Sequence, residues 1–344
     1  MDNKNSDKKD TIKYKEQESI TITDIAQALG ISKSTVSRSI SGKGRIGEDT
    51  RQKVLKYIEE KNYRPSSVAK GLAHSKTYNI GCVIPGDASV MDLPFFQQCL
   101  IGISETAAVE NYDVLLAMVF DNDCSQLERI IRNRKVDGII LGRTLINDPR
   151  ADILINSDIP FVVVGSSMDD RIIQVDNDHI GACKKLTSIL IGKGIKKLAL
   201  IGGDSNHVVN KTRKEGFEFA LKEDNINIKN EYMDCENKED VEAAVDDILR
   251  QDIECIICMD DRICNEVLNK LHKENISIPE DIKIASFYSS IIIENSQPSI
   301  TSLKYDPKIL GMAACKTLFD YIDGKEIDKK QLLSYELNLR DSTK

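Results

Sequence analysis

The run Thr21–Arg38, TITDIAQALGISKSTVSR, admits few folds. Ile22, Ile25, Ala26 and Leu29 recur at helical spacing and predict a short amphipathic helix. Thr21 suits its N-cap, because a hydroxyl there accepts a hydrogen bond from the free amide near Asp24, and the Asp24 carboxylate suits a helix start. Gly30 ends the helix by taking the left-handed conformation that other residues adopt only at a cost. Ser32 then caps a second helix, Lys33 to about Ile40, with Val36 and Ile40 inward. Two short helices joined by a Gly-containing turn form a helix-turn-helix. The second helix exposes Lys33, Ser34, Thr35, Ser37 and Arg38, a composition suited to phosphates and base edges. A helical hairpin with a merely solvated polar face would read the same way, so the rest of the chain has to decide.

Charge does part of that work. Residues 19–78 carry eleven Lys/Arg against five Asp/Glu, a net of +6, whereas residues 79–344 carry 31 against 45, a net of −14. A basic head on an acidic body implies a polyanionic partner for the head alone. The polar start, MDNKNSDKKDTIKYKEQE, lacks the apolar core of a signal peptide, and no run of eighteen apolar residues occurs, so a cytoplasmic protein without membrane contact is expected. Nine scattered cysteines fit reduced thiols. Cys255 and Cys258 have metal-ligand spacing, but ECIICM reads as a buried strand, in which positions three apart face opposite sides.

Taken in order, residues 1–18 are too poor in apolar side chains to fold alone. The loop SGKGRIG follows the second helix, and a third helix runs from about Glu48 to Lys61 with Val54, Leu55 and Ile58 inward. A helix-turn-helix domain therefore spans residues 19–65. Residues 66–76 form a linker whose segment SSVAKGLAH has helical composition but is too short to be stable alone. From residue 77 strands alternate with helices. Strands are predicted near Asn79–Pro85, Tyr112–Met118, Val136–Leu141, Pro160–Val164, Lys197–Ile201, Cys255–Met259, Lys283–Phe287 and Ile300–Leu303, with amphipathic helices between. That alternation predicts parallel sheets covered by helices.

The pieces TITDIAQALGISKSTVSRSISGKG, EDTRQKVLKYIEEKNYRPSSVAKGLA, NIGCVIP, PFFQQCLIGI, VDGIIL, RKEGF, SIPEDIKIASF and PSITSL occur in one order over residues 20 to about 325. Together they resemble the lactose-repressor (LacI/GalR) family of transcription regulators, and the strings IPFVVVGSS and ALIGGDSNHVVNKTRKEGF are most similar to its maltose-repressor branch. The resemblance implies an all-α DNA-binding domain followed by two doubly wound subdomains of the periplasmic-binding-protein type. One would hold residues near 77–176 and 305–323, the other those near 177–302 and 330–340, with a ligand in the cleft between them.

The resemblance also assigns roles. Lys33, Ser34 and Arg38 would face base edges in the major groove, and Thr21, Ser32, Thr35, Ser37, Ser41, Arg45 and Thr50 would grip phosphates. Residues 66–74 match a hinge helix in which Leu72 wedges into the minor groove beside Ala69 and Lys70. In the cleft, Arg213 stands where the family's effector-binding arginine does. Asp260 and Asp261 replace a usual Asn-Asp, one of them free to serve as a helix cap, and Phe95 and Phe96 are candidates for stacking on a sugar or for helix-start packing. Tyr288 occupies the place of a carboxylate that commonly holds the effector.

No catalytic set or cofactor motif competes, and no histidine stands at metal or triad spacing. His74, His179, His207 and His272 are the only histidines, and GKGI and IGGD lack the spacing of a phosphate loop. The expected protein is a non-enzymatic repressor, a homodimer on a pseudo-palindromic operator in double-stranded DNA, under the control of a sugar such as maltose or a malto-oligosaccharide. Two alternatives stand beside it: a catabolite-control regulator with a phosphorylated carrier protein as co-effector, and a sugar-binding transport protein.

Overall fold

A computed structural model describes residues 20–42, 44–63, 76–86, 94–120, 123–227 and 230–344. The tail at 1–18 and the hinge, with Ala69, Lys70 and Leu72, lie outside the described residues. The chain divides into two compact units, residues 1–75 and 76–344.

In the first unit, α1 (Ile22–Leu29), α2 (Lys33–Ser41) and α3 (Glu48–Glu60) surround Ile25, Ala26, Val36 and Val54. Thr21 and Asp24 cap α1 reciprocally: the Thr21 hydroxyl accepts from the Asp24 amide at 3.3 Å, and the Asp24 carboxylate accepts from the Thr21 amide at 2.8 Å. Gly30 sits at φ 65°, the left-handed turn the sequence requires. One expectation fails. Leu55 faces solvent at 37% exposure, while Tyr57 and Ile58 pack inward with Val54. On a helix of 100° per residue, positions 57 and 58 flank position 54, whereas position 55 is turned away.

The second unit contains two six-stranded sheets. The first holds β1 (Asn79–Pro85), β2 (Asp113–Val119), β3 (Gly138–Leu141), β4 (Phe161–Val164), β5 (Gln174–Asn177) and β11 (Lys330–Leu333), in the order β11-β5-β4-β3-β1-β2. The second holds β6 (Leu198–Ile201), β7 (Glu231–Tyr232), β8 (Cys255–Cys258), β9 (Lys283–Ser286), β10 (Thr301–Lys304) and β12 (Glu336–Asn338), in the order β12-β10-β9-β8-β6-β7. All pairings are parallel except that of β12 with β10. The central strands are apolar on both faces, as helix-covered parallel sheets demand. In β8, Cys255 and Ile257 enter one core and Ile256 and Cys258 the other, so the two thiols face opposite sides of the sheet. Burial pushes the Cys255 thiol up to about 12, which keeps it protonated.

The helices that position the site are α4 (Pro94–Val109), after β1, and α7 (His179–Gly192), after β5. Further along are α8 (Val208–Glu223), after β6, α10 (Asp261–Lys273), after β8, and α12 (Pro307–Ile322), after β10. The chain crosses between the lobes after β5, after β10 and after β11. The last crossing corrects the expected boundary. Residues 330–333 do not join the second lobe; β11 pairs with β5 in the first, Lys330 opposite Gln174, and only β12 reaches the second sheet. β5 is buried along its whole length and needs partners on both edges; β11 supplies the outer one.

Candidate DNA-reading head and ligand cleft

α2 presents Lys33, Ser34, Ser37 and Arg38 to solvent, and Ser41, Arg45 and Thr21 are exposed as well, while Thr35 and Thr50 are half-buried. Several of the hydroxyls are already engaged. Ser32 caps α2, accepting from the Thr35 amide at 3.1 Å, and its oxygen lies 2.7 Å from the Ser34 hydroxyl and 2.8 Å from that of Thr35. The Thr21 hydroxyl donates to Asp24 at 2.7 Å, and that bond holds the Asp24 carboxyl below its usual range. Lys33 and Arg38 form no ion pair among the described residues and stand exposed between short hydroxyl side chains, with the Lys33 charge also lowering the Asp24 carboxyl.

In the second unit the carboxyl ends of the strands of both sheets converge on one aromatic cluster. Arg213, in α8, is 7% exposed; it donates to the Met259 carbonyl at 2.7 Å, and its guanidinium carbon lies 5.8 Å from the Tyr288 ring centroid. Tyr288, just past β9, packs edge-on against Phe95 of the opposite lobe at 6.2 Å and runs nearly parallel to Tyr305 at 6.2 Å, with planes 10° apart. Burial, and next the Asp261 charge, push the Tyr288 phenol well up, so it stays protonated. Tyr305 follows β10 and meets His179 at 4.9 Å, and His179 Nε2 reaches the Asp176 carboxylate at 3.3 Å. Burial pushes the Asp176 carboxyl up, but the His179 charge and hydrogen bonds from His179, Ser166 and the Asn177 amide outweigh it and hold the group low.

The remaining expected residues divide by role. Phe95 contacts the cores of both lobes; Phe96 packs edge-on against it at 5.2 Å and belongs to the first lobe's core. Asp260 is the helix cap: it accepts from the Ile263 amide at 2.7 Å. Asp260→Ala is expected to cost about 1 kcal/mol, and Asp260→Ser to recover most of it, as read from melting temperature. Asp261 is buried and accepts from the Ser290 hydroxyl; burial raises its carboxyl above the usual range. The sequence pattern does not mark Asp176, His179, Tyr305 or Tyr335, whose ring lies 6.5 Å from that of Tyr305. Asp176, Asn177 and Tyr305 lie at or just past the carboxyl ends of β5 and β10, and the rule that ligands sit at such ends would have found them. The lobes are also clasped by the backbone: Ile146 N–H donates to the Asn206 carbonyl at 2.9 Å and Val208 N–H to the Thr144 carbonyl at 3.3 Å.

A three-helix head with a polar, basic second helix, joined to a two-lobed α/β domain with an aromatic cluster between the lobes, defines a DNA-binding regulator with a ligand-binding body. Residues 21–66 match the bacterial regulatory proteins of the lacI family, and residues 187–343 match a periplasmic binding protein-like domain. The HTH-type transcriptional regulator MalR of Staphylococcus xylosus is 31% identical over 315 residues, which cover 90% of this chain and 93% of that protein. Catabolite control protein A of Staphylococcus aureus is 27% identical over 333 residues, 94% of this chain and 99% of that one. The crystal structure of a probable maltose operon transcriptional repressor malR from Staphylococcus aureus superposes with a TM-score of 0.72 at 28% identity, over 78% of this chain and 98% of that one. This chain belongs to the lacI family of bacterial regulatory proteins, and it is a DNA-binding transcriptional regulator. Among the described residues no helix is long and apolar enough to cross a membrane.

Proposed function

We propose that the chain is a non-enzymatic, cytoplasmic repressor that binds a pseudo-palindromic operator as a homodimer, and that a sugar bound between its two lobes sets the operator affinity. The observation that carries the effector reading is the Arg213–Tyr288–Phe95 contact, which joins residues of both lobes at the strand ends. A ligand there favours one lobe arrangement over another only through its difference in affinity for the two. Lys33, Ser34 and Arg38 are the proposed base readers, Ser37, Ser41, Arg45 and Thr50 the proposed phosphate contacts. A single helix-turn-helix reads a half-site, which is the reason for a dimer. Maltose and maltotriose are the first sugars to test, because a relative carries the maltose-operon description and an aromatic wall suits a glucosyl ring.

Genomic fragments retained by the purified protein are expected to converge on one two-fold sequence. A sugar that raises the melting temperature is expected to change operator Kd by about five- to hundredfold. A sugar that binds but leaves operator Kd unchanged sinks effector control. If no sugar binds and operator affinity responds only to a phosphorylated carrier protein, the catabolite-control reading takes its place.

A further inference from the structure

The linker from the head enters the two-lobed unit at Lys76, and the entry is clamped. Asp137, just before β3, accepts three hydrogen bonds from the entering chain. One oxygen takes the Thr77 amide at 2.7 Å and the Thr77 hydroxyl at 2.8 Å, and the other takes the Tyr78 amide at 3.0 Å. The Asp137 amide donates in return to the Asn79 carbonyl at 2.8 Å. Tyr78 sits at φ 55°, a left-handed conformation that a bulky residue keeps only where its surroundings over-determine it. Its ring meets Tyr112 at 5.5 Å, and Tyr112 meets Phe319 of α12 at 4.8 Å. Burial, and next the Asp137 charge, push the Tyr112 phenol well up, so it stays protonated beside that carboxylate. Lys76 Nζ lies 6.0 Å from the centre of the Tyr112 ring and 3.8 Å from the carboxylate of Asp323, the residue that ends α12.

α12 joins this clamp to the aromatic cluster between the lobes. Tyr305 lies in the second lobe's core, while Asp306 caps α12 in the first by accepting from the Ile309 amide at 3.0 Å. A shift of one lobe against the other therefore reaches the start of α12 through Asp306 alone. Hydrogen bonds fix every backbone dihedral of a helix, so α12 moves as one body about 24 Å long. It is pinned near its start, where a Cβ on Gly311 would lie 2.1 Å from the Cys99 carbonyl oxygen. A pivot there leaves about 6 Å of helix on the cluster side and about 17 Å beyond, so the far end travels further than the near end. That far end rests on the clamp. Phe319 packs on Tyr112, and Leu318 and Ile322 cover Gly138, where a Cβ would come within 2.9 Å of both. We propose that α12 is the lever that couples the ligand site to the head, with Asp137 as the positioning residue through which its motion reaches the linker. The proposal rests on the reading that a sugar binds between the lobes.

The full-length protein is compared with Asp137→Ala, Asp137→Asn and Ile130→Val. Ile130 lies in the core on the other face of the first sheet, so its variant lowers stability without touching the clamp. Hydrogen exchange is followed with and without the DNA duplex that the protein retains. Coupling is reciprocal, so a lever that carries the sugar's effect to the head also carries the effect of DNA back. Duplex binding is expected to change exchange in peptides covering 76–80, 110–114 and 305–323 of the wild type and of Ile130→Val. Asp137→Ala should confine the change to the head, and Asp137→Asn, which keeps one oxygen with its two bonds, should fall between. With maltotriose as the probe, the sugar-induced change in operator Kd is expected to shrink about two- to thirtyfold in Asp137→Ala, while maltotriose affinity is retained. Exchange at 305–323 that stays unchanged in the wild type, or that still responds to DNA in Asp137→Ala, overturns the lever. A sugar response lost equally in Ile130→Val makes Asp137 merely structural and overturns it as well. If maltotriose does not bind, control by that sugar falls, and the exchange comparison still decides the lever.

Discussion

Arg38→Ala is expected to weaken binding to the operator by about ten- to hundredfold, while binding to a scrambled duplex falls only a few-fold. Arg38 is exposed in the last turn of α2, beside Ser34 on the face opposite buried Val36, with Lys33 and Ser37 exposed at the flanks of that face. A guanidinium in the major groove donates to both O6 and N7 of guanine, and one such bidentate contact contributes about 1–3 kcal/mol of discrimination. Phosphate contacts carry no sequence information and govern the salt dependence instead. The fold should survive, because the side chain holds no ion pair among the described residues and the cap of α2 comes from Ser32. Only a favourable interaction with the helix C-terminus, a few tenths of a kcal/mol, would be lost. Fluorescence anisotropy on operator and scrambled duplexes at two salt concentrations measures both quantities. A parallel fall on the two duplexes, with a shallower salt slope, would make Arg38 a phosphate ligand and move base reading to Lys33 and Ser34.

The head was the most legible part of the sequence because local signals agreed there. Thr21, Asp24, Gly30 and Ser32 each have one low-cost structural use, and all four are used that way. Leu55 shows that apolar character alone does not fix inward direction: the helical phase, which favours Tyr57 and Ile58, decides the matter. In the body, strands with unbroken apolar runs such as CIIC and GIIL were plain. β5, QVDN, is not, since its buried Gln174 and Asp176 are satisfied by tertiary partners that no local pattern reveals. The same holds for half of the proposed site. Arg213 could be placed from its KTRKEGF setting and Asp176 and His179 are three residues apart, but Tyr305 meets His179 only through the tertiary fold. Asp260 and Asp261 looked alike in sequence; the first spends its carboxylate on the Ile263 amide, the second on Ser290.

Gly311→Val is expected to destabilise the two-lobed unit by about 3 kcal/mol or more, the largest stability effect anticipated for any single residue discussed. Here α12 crosses α4 with a glycine from each helix against the other's backbone. A Cβ on Gly311 would lie 2.1 Å from the Cys99 carbonyl oxygen, and one on Gly102 would lie 2.1 Å from that of Lys308. Both obstacles are main chain, so no rotamer change relieves them and the helices must part by about 1 Å. Gly102→Ala and Gly311→Ala test the same contact more gently: alanine gains up to about 1 kcal/mol in helix propensity, which the clash has to exceed. Gly192→Ala, at the exposed end of α7 with open space around it, gains propensity without a clash and should be neutral or stabilising. Opposite signs in melting temperature at 311 and 192 would identify close approach, rather than glycine content, as the cause. The consequence reaches the proposed ligand site, because α4 carries Phe95 at its start and α12 begins two residues after Tyr305. Parting these helices separates Phe95 from the Tyr288–Tyr305 pair, so Gly311→Ala should weaken ligand binding more than Asp260→Ala, whose lost cap lies off that contact. Equal ligand affinity in the two variants, at their different stabilities, would show that the glycine crossing fixes the fold without setting the geometry of the site.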